Sequence, residues 1–160
     1  PPLARRLPAT LGVIRASGMK RCIEFTVRDD LPPKKDGANS MWGKSSERAR
    51  LVQLRRAALA SVGSAGPLET DIRMFVEIHC ASEKLAMAGD LDNFITGICD
   101  GLMAAARGIA AEWSNPDMAD IHPDRSIAIR DDREIVEICA RKHGLESGAP
   151  PWYRVTLIGE

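Results

Sequence analysis

Asp90 and Asp92 stand one residue apart ahead of Asn93, at the entrance to an apolar helical run, and a second acidic pair, Asp131-Asp132, follows about forty residues later. Side chains two apart share a face where the backbone is extended, so Asp90 and Asp92 can converge if the chain enters the helix extended. Hard oxygen ligands crowded in this way suit Mg²⁺, which binds through one or two carboxylates, retained waters and phosphate oxygens. Blander roles compete. Asp92 can act as an ordinary helix N-cap, and an Asp-Asp pair alone is most often a solvated turn. Capping does not account for Asp90 as well, and the helix dipole, which favours acids at a helix start, does not account for a pair placed before a strand. Asn93, Thr96 and Asp100 lie three and four apart on the helix and so share one face.

The elements that must hold these residues are legible from periodicity. Arg21 to Arg28 alternates Cys22, Glu24, Thr26 and Arg28 against Ile23, Phe25 and Val27, the pattern of a half-buried strand. Leu31 to Lys44 contains Pro32, Pro33, Gly37 and Gly43 with Lys34, Lys35 and Lys44, and reads as a basic loop. Ser45 or Ser46 starts a helix to about Val62, with Ala49, Val52, Ala57 and Leu59 on its apolar side and Arg48, Arg50, Arg55 and Arg56 on its polar side. Gly63 to Pro67 breaks the chain before a strand over Asp71 to Cys80, in which Ile72, Met74, Val76 and Ile78 point inward. Ile95, Ile98, Leu102, Ala105, Ala106 and Ile109 predict that the helix after Asp92 runs to about Trp113. Glu134 to Lys142 and Trp152 to Ile158 complete the strands. Such an order predicts an α+β fold, a small mixed β-sheet with two main helices packed on one face.

A chain of 160 residues suits one domain. The boundaries expected are an N-terminal arm or extension over residues 1–20 and a folded domain over residues 21–160. Residues 1–20 carry Arg5, Arg6, Arg15 and Lys20, and Pro8 and Gly12 interrupt any secretory core. No apolar run approaches the roughly 18 residues of a membrane span, so no membrane is expected. Cys22, Cys80, Cys99 and Cys139 are scattered singly through apolar patterns and are expected to be buried, reduced thiols in a cytoplasmic protein. His79, His122 and His143 show no ligand spacing and read as strand-end or loop histidines. The net charge of zero conceals an asymmetry: residues 1–60 hold 13 Lys or Arg against 5 Asp or Glu, and residues 61–160 hold 9 against 17. A basic half can meet nucleic-acid phosphates while an acidic cluster meets a metal.

Taken together, Asp90-Leu91-Asp92-Asn93, Asp100-Gly101-Leu102 and Asp131-Asp132 resemble the RusA family of Holliday junction resolvases. The likeness covers roughly residues 20 to 160, including a first strand leading into Leu31-Pro32-Pro33-Lys34-Lys35, a basic helix and a closing strand. The resemblance implies a RusA-like fold and a homodimer that resolves branched DNA, four-way junctions above all, by Mg²⁺-dependent phosphodiester hydrolysis, with Mn²⁺ as a possible substitute. Carried over residue by residue, it makes Asp90, Asp92 and Asp132 catalytic, metal-binding carboxylates. It gives Asn93, Asp100 and Asp131 supporting positions and assigns Lys34, Lys35 and Lys44 to DNA. The family places a lysine four residues after its second aspartate, where this chain has Thr96. A cation there would stabilise charge on the scissile phosphate. Either Lys84, Arg130, Arg133 or Lys142 supplies that charge, or the chain binds branched DNA with weakened or silent catalysis. The linker at about Glu112 to Ser126 is longer than the family's, which leaves a nuclease with another substrate as a further alternative.

Overall fold

The computed structural model describes residues 19–35, 41–43, 45–105, 113 and 116–160. The expected arm therefore lies almost wholly outside the described residues, as does Lys44. In chain order the elements are β1 (Arg21–Arg28), α1 (Ser45–Val62), β2 (Ile72–Ala81), α2 (Leu91–Leu102), β3 (Ile135–Leu145) and β4 (Trp152–Gly159). The strands lie in the order β1-β4-β2-β3. β4 runs antiparallel to both neighbours, whereas β2 and β3 are parallel and are linked by the crossover that contains α2. The fold is thus the α+β layer that periodicity predicts.

Alternation decides which face is covered. Ile23, Phe25 and Val27 of β1, Met74, Val76 and Ile78 of β2, and Tyr153, Val155 and Leu157 of β4 form one core with Leu54, Ala58 and Val62 of α1 and Phe94, Ile98 and Leu102 of α2. Both helices therefore pack on the same face of the sheet. On the opposite face Trp152, His79 and His143, neighbours across β4, β2 and β3, stack with ring centroids 3.7 and 4.5 Å apart. The three side chains thus form a ladder that no histidine spacing foretells.

Three expectations need correction. The buried stripe of α1 is Glu47, Leu51, Leu54, Arg55, Ala58 and Val62, rather than the Ala49, Val52, Ala57 and Leu59 side, of which Ala49 is exposed. Arg55 belongs to the core because its guanidinium donates to the carbonyl oxygens of Gly101, Met103, Ile121, His122 and Arg125 and lies 5.2 Å from the Trp42 ring centre. Those bonds replace the hydration a buried cation loses.

Arg55 also explains why α2 ends at Leu102 instead of continuing toward Trp113. The carbonyls of Gly101 and Met103 are taken by Arg55, and that of Leu102 accepts from the Ile127 and Ala128 N–H groups. Met103 is extended, with φ −90° and ψ 172°. Ala106 and Ile109, which extend the helical pattern, lie outside the described residues. Trp113 instead packs edge-to-face on Trp42, 5.5 Å away, in a second apolar cluster with Met41, Leu51 and Ile121.

The third correction concerns the thiols. All four cysteines are free, but only Cys80 and Cys99 are buried, while Cys22 and Cys139 are exposed on the two edge strands. Among the described residues no helix is long and apolar enough to cross a membrane.

Candidate nucleic-acid interface and carboxylate site

Gly89 sets the entrance to α2. Its φ of 130° is one that side chains disfavour, and a Cβ there would stand 3.1 Å from the Phe94 ring and 3.6 Å from Lys34 Cδ. Asp90 then adopts an extended backbone, φ −71° and ψ 140°, before Asp92 enters the first helical turn. The chain is therefore extended at Asp90 and already helical from Leu91 onward. Neither carboxylate is used for capping or pairing: both side chains are exposed, Asp90 makes no cap hydrogen bond, and neither has a side-chain partner among the described residues. Two acids at a helix start are also favoured by the partial positive charge of its free N–H groups.

The Pro33–Lys35 strap lies across α2 and brings lysines to this end. A Cβ on Gly97 would lie 2.1 Å from the Pro33 carbonyl oxygen, so only glycine permits the crossing. The strap is held by Lys34 N–H donating to Glu47 Oε2 at 2.8 Å and by Lys35 N–H donating to the Asn93 carbonyl at 3.2 Å. Asn93 thus supports the site through its backbone. Lys35 Nζ pairs with Asp100 at 2.8 Å, which ties a residue expected to bind DNA to one expected to support metal. The Lys34 ammonium, by contrast, has no partner among the described residues, and its stem passes Gly89.

The remaining carboxylates stand elsewhere along α2. Asp132 and Asp100 lie close enough to Cys99 that, after burial itself, they push the thiol up to about 12. Cys99 is seven residues beyond Asp92, about 10 Å along the helix axis. Asp131 is engaged by Arg133, whose guanidinium and backbone N–H hold its carboxyl down at about 2. Among the described residues no three His, Cys, Asp or Glu side chains are grouped so as to hold a metal ion. The set Asp90, Asp92 and Asp132 is thus not gathered into one cage. Asp90 and Asp92 are the carboxylates that would hold Mg²⁺ here, with waters and phosphate oxygens completing its shell.

Of the four cations weighed against Thr96, Lys142 comes to this entrance: its ammonium donates to the Leu85 carbonyl at 2.7 Å and to that of Gly89 at 3.1 Å. Arg130 pairs with Glu69 and Arg133 with Asp131. The Lys84 ammonium has no partner among the described residues, while its carbonyl accepts from the Met87 and Ala88 N–H groups. Thr96 turns its hydroxyl back on its own helix, donating to the Asp92 carbonyl at 2.9 Å. Arg55, read from the sequence as part of a polar face, is unavailable to phosphate because it is completely buried. Glu47 and Gly97 are the residues sequence reasoning missed, and Gly89 was given no role of its own. A glutamate on a basic helix and glycines within or beside an apolar helix were the signals. Compared with known proteins, the chain matches no family model and no curated protein.

Proposed function

We propose that the protein is a structure-selective endodeoxyribonuclease of the RusA kind, acting on four-way DNA junctions as a homodimer with Mg²⁺ or Mn²⁺. The observation that carries this reading is the juxtaposition at the start of α2: two uncommitted carboxylates, Asp90 and Asp92, beside the free Lys34 side chain and the Lys142 ammonium. Carboxylates alone would repel a phosphodiester, and lysines alone would bind it without positioning a metal. Asp90 and Asp92 would hold the ion, which when bound supplies an activated water and polarises the phosphoryl oxygen. Lys34 offers a mobile point charge to a backbone phosphate. Lys142 fixes the turn that carries Asp90 and adds positive charge behind it.

A second reading has its own support. Thr96 presents no cation and satisfies its hydroxyl within the helix, and Asp132 is not grouped with Asp90 and Asp92. Both facts favour a branched-DNA-binding protein without turnover. Cleavage of a synthetic four-way junction with Mg²⁺ or Mn²⁺, run beside Asp92→Asn and a linear duplex of the same sequence, separates the readings. Paired nicks near the crossover, lost in the variant and on linear DNA, are expected of the nuclease. Tight junction binding without nicks would mark the silent binder, and equal cutting of the linear duplex would mark a nuclease with another substrate.

A further inference from the structure

Next to the carboxylates, on the side of the sheet where α2 begins, lies a cavity of about 530 Å³ bounded by Leu31, Cys80, Lys84, Met87, Ala149 and Pro151. We propose that this cavity receives an unpaired nucleobase of the DNA whose phosphate is held at Asp90 and Asp92, an inference that rests on the proposed function. Its volume falls within the ~300–1,000 Å³ range of small-molecule sites, and its mainly aliphatic lining suits a flat, uncharged ring. An extruded base is held between apolar side chains, and extrusion costs least for a base already unpaired, as at the centre of a junction.

Position selects this occupant over a free metabolite. Ala88 lines the cavity and stands two residues before Asp90, at most about 7 Å along the chain. The base on a nucleotide whose phosphate meets Asp90 is therefore within reach of it. Lys84 on the cavity wall and Lys34 beside Gly89 both carry uncommitted ammonium groups, a charge complement to the phosphates on either side of that base.

The walls are tied together before any ligand arrives. Ser82 Oγ donates to the Leu145 carbonyl at 3.0 Å and Ser147 Oγ to Glu83 Oε1 at 3.1 Å, joining the turn after β2 to the loop between β3 and β4. Lys142 fastens the 85–89 segment to β3. A preformed cavity avoids the ordering cost that a loose one would exact on binding. Met87, 83 % exposed, is the apolar side chain left free to lie against an incoming ring.

The test uses the full chain with four-way junctions carrying 2-aminopurine at successive positions around the crossover, with Ca²⁺ in place of Mg²⁺ so that the carboxylates are neutralised while no strand is cut, and with binding followed separately by anisotropy. A rise in 2-aminopurine fluorescence confined to one position is expected, together with its loss in Ala149→Phe, which fills the cavity. Met87→Ala, at an exposed site that leaves the fold intact, is expected to weaken junction binding about tenfold, the size of losing one methionine side chain's apolar burial against the base. Binding with no rise at any position, or a rise that persists in Ala149→Phe, overturns the cavity as a base site while leaving the junction reading in place. No binding to any junction overturns the proposed function itself, and the cavity's assignment with it.

Discussion

Arg55 shows how one side chain can reverse its apparent purpose. On a helix with four arginines it looks solvated, yet it closes five carbonyl groups from α2 and the segment before β3. Burial pulls its pKa down to about 10, still far enough above neutrality for the charge to persist. Arg55→Met keeps the length of the side chain and removes every donor, leaving buried acceptors unsatisfied at about 1–3 kcal/mol each before water or rearrangement relieves them. A loss of at least about 3 kcal/mol is expected in chemical denaturation, and Arg55→Lys, with three donors and no planar fork, should recover little of it. A second residue-scale prediction concerns His79. Burial, and then the neighbouring His143, lowers its pKa, while Glu77 opposes the shift and Arg154 adds to it. A histidine held neutral in the fold takes up a proton more readily when unfolded, so its contribution to stability is complete above about 6.5 and is lost as pH falls through the lower folded value. The melting temperature should therefore decline below pH 6.5, and His79→Phe, which keeps a ring against Trp152, should flatten that decline between pH 6.5 and 5.

At the scale of elements, the strap over α2 decides where the lysines go. Gly97→Ala would ordinarily stabilise a helix by about 1 kcal/mol, since alanine is the better helix former. Here a Cβ would meet the Pro33 carbonyl oxygen at 2.1 Å, the Pro33 carbonyl carbon at 2.7 Å and Lys34 Cα at 2.9 Å. These are backbone atoms that cannot rotate away, so the strap must lift, and overpacking of this kind costs roughly 1–3 kcal/mol. The net sign is destabilising. A lower melting temperature accompanied by weaker junction binding is expected, because displacement of Pro33 carries Lys34 away from Gly89. An unchanged or raised melting temperature would show that the strap does not bear on α2 as described. The strands, the break before β2 and the start of α2 were all legible from local pattern. The end of α2 was not, because Ala105, Ala106 and Ile109 continue a helical period while the carbonyls that stop the helix are claimed by groups distant in sequence.

For the whole molecule, the proposed chemistry requires two sites. A four-way junction has two equivalent strands to cut, and a twofold dimer offers matching sites to both. Sedimentation equilibrium at micromolar concentration should give about twice the 17.4 kDa chain mass. A monomeric mass would be accompanied by single rather than paired nicks, since each particle would then carry one Asp90 and Asp92 pair. What the sequence by itself determined is what repeats over a few residues: the alternation that chooses the buried side of β1, β2 and β4, the two-helix layer, and the acidic entrance to α2. Each is a property of neighbours along the chain, so its physics is local. Only tertiary structure decided the partners of the charges. It sent Arg55 into the core, paired Lys35 with Asp100, and brought Lys34 and Lys142 to Gly89. A charged side chain settles where its lost hydration is best replaced, and the groups that replace it come from elements far apart in sequence.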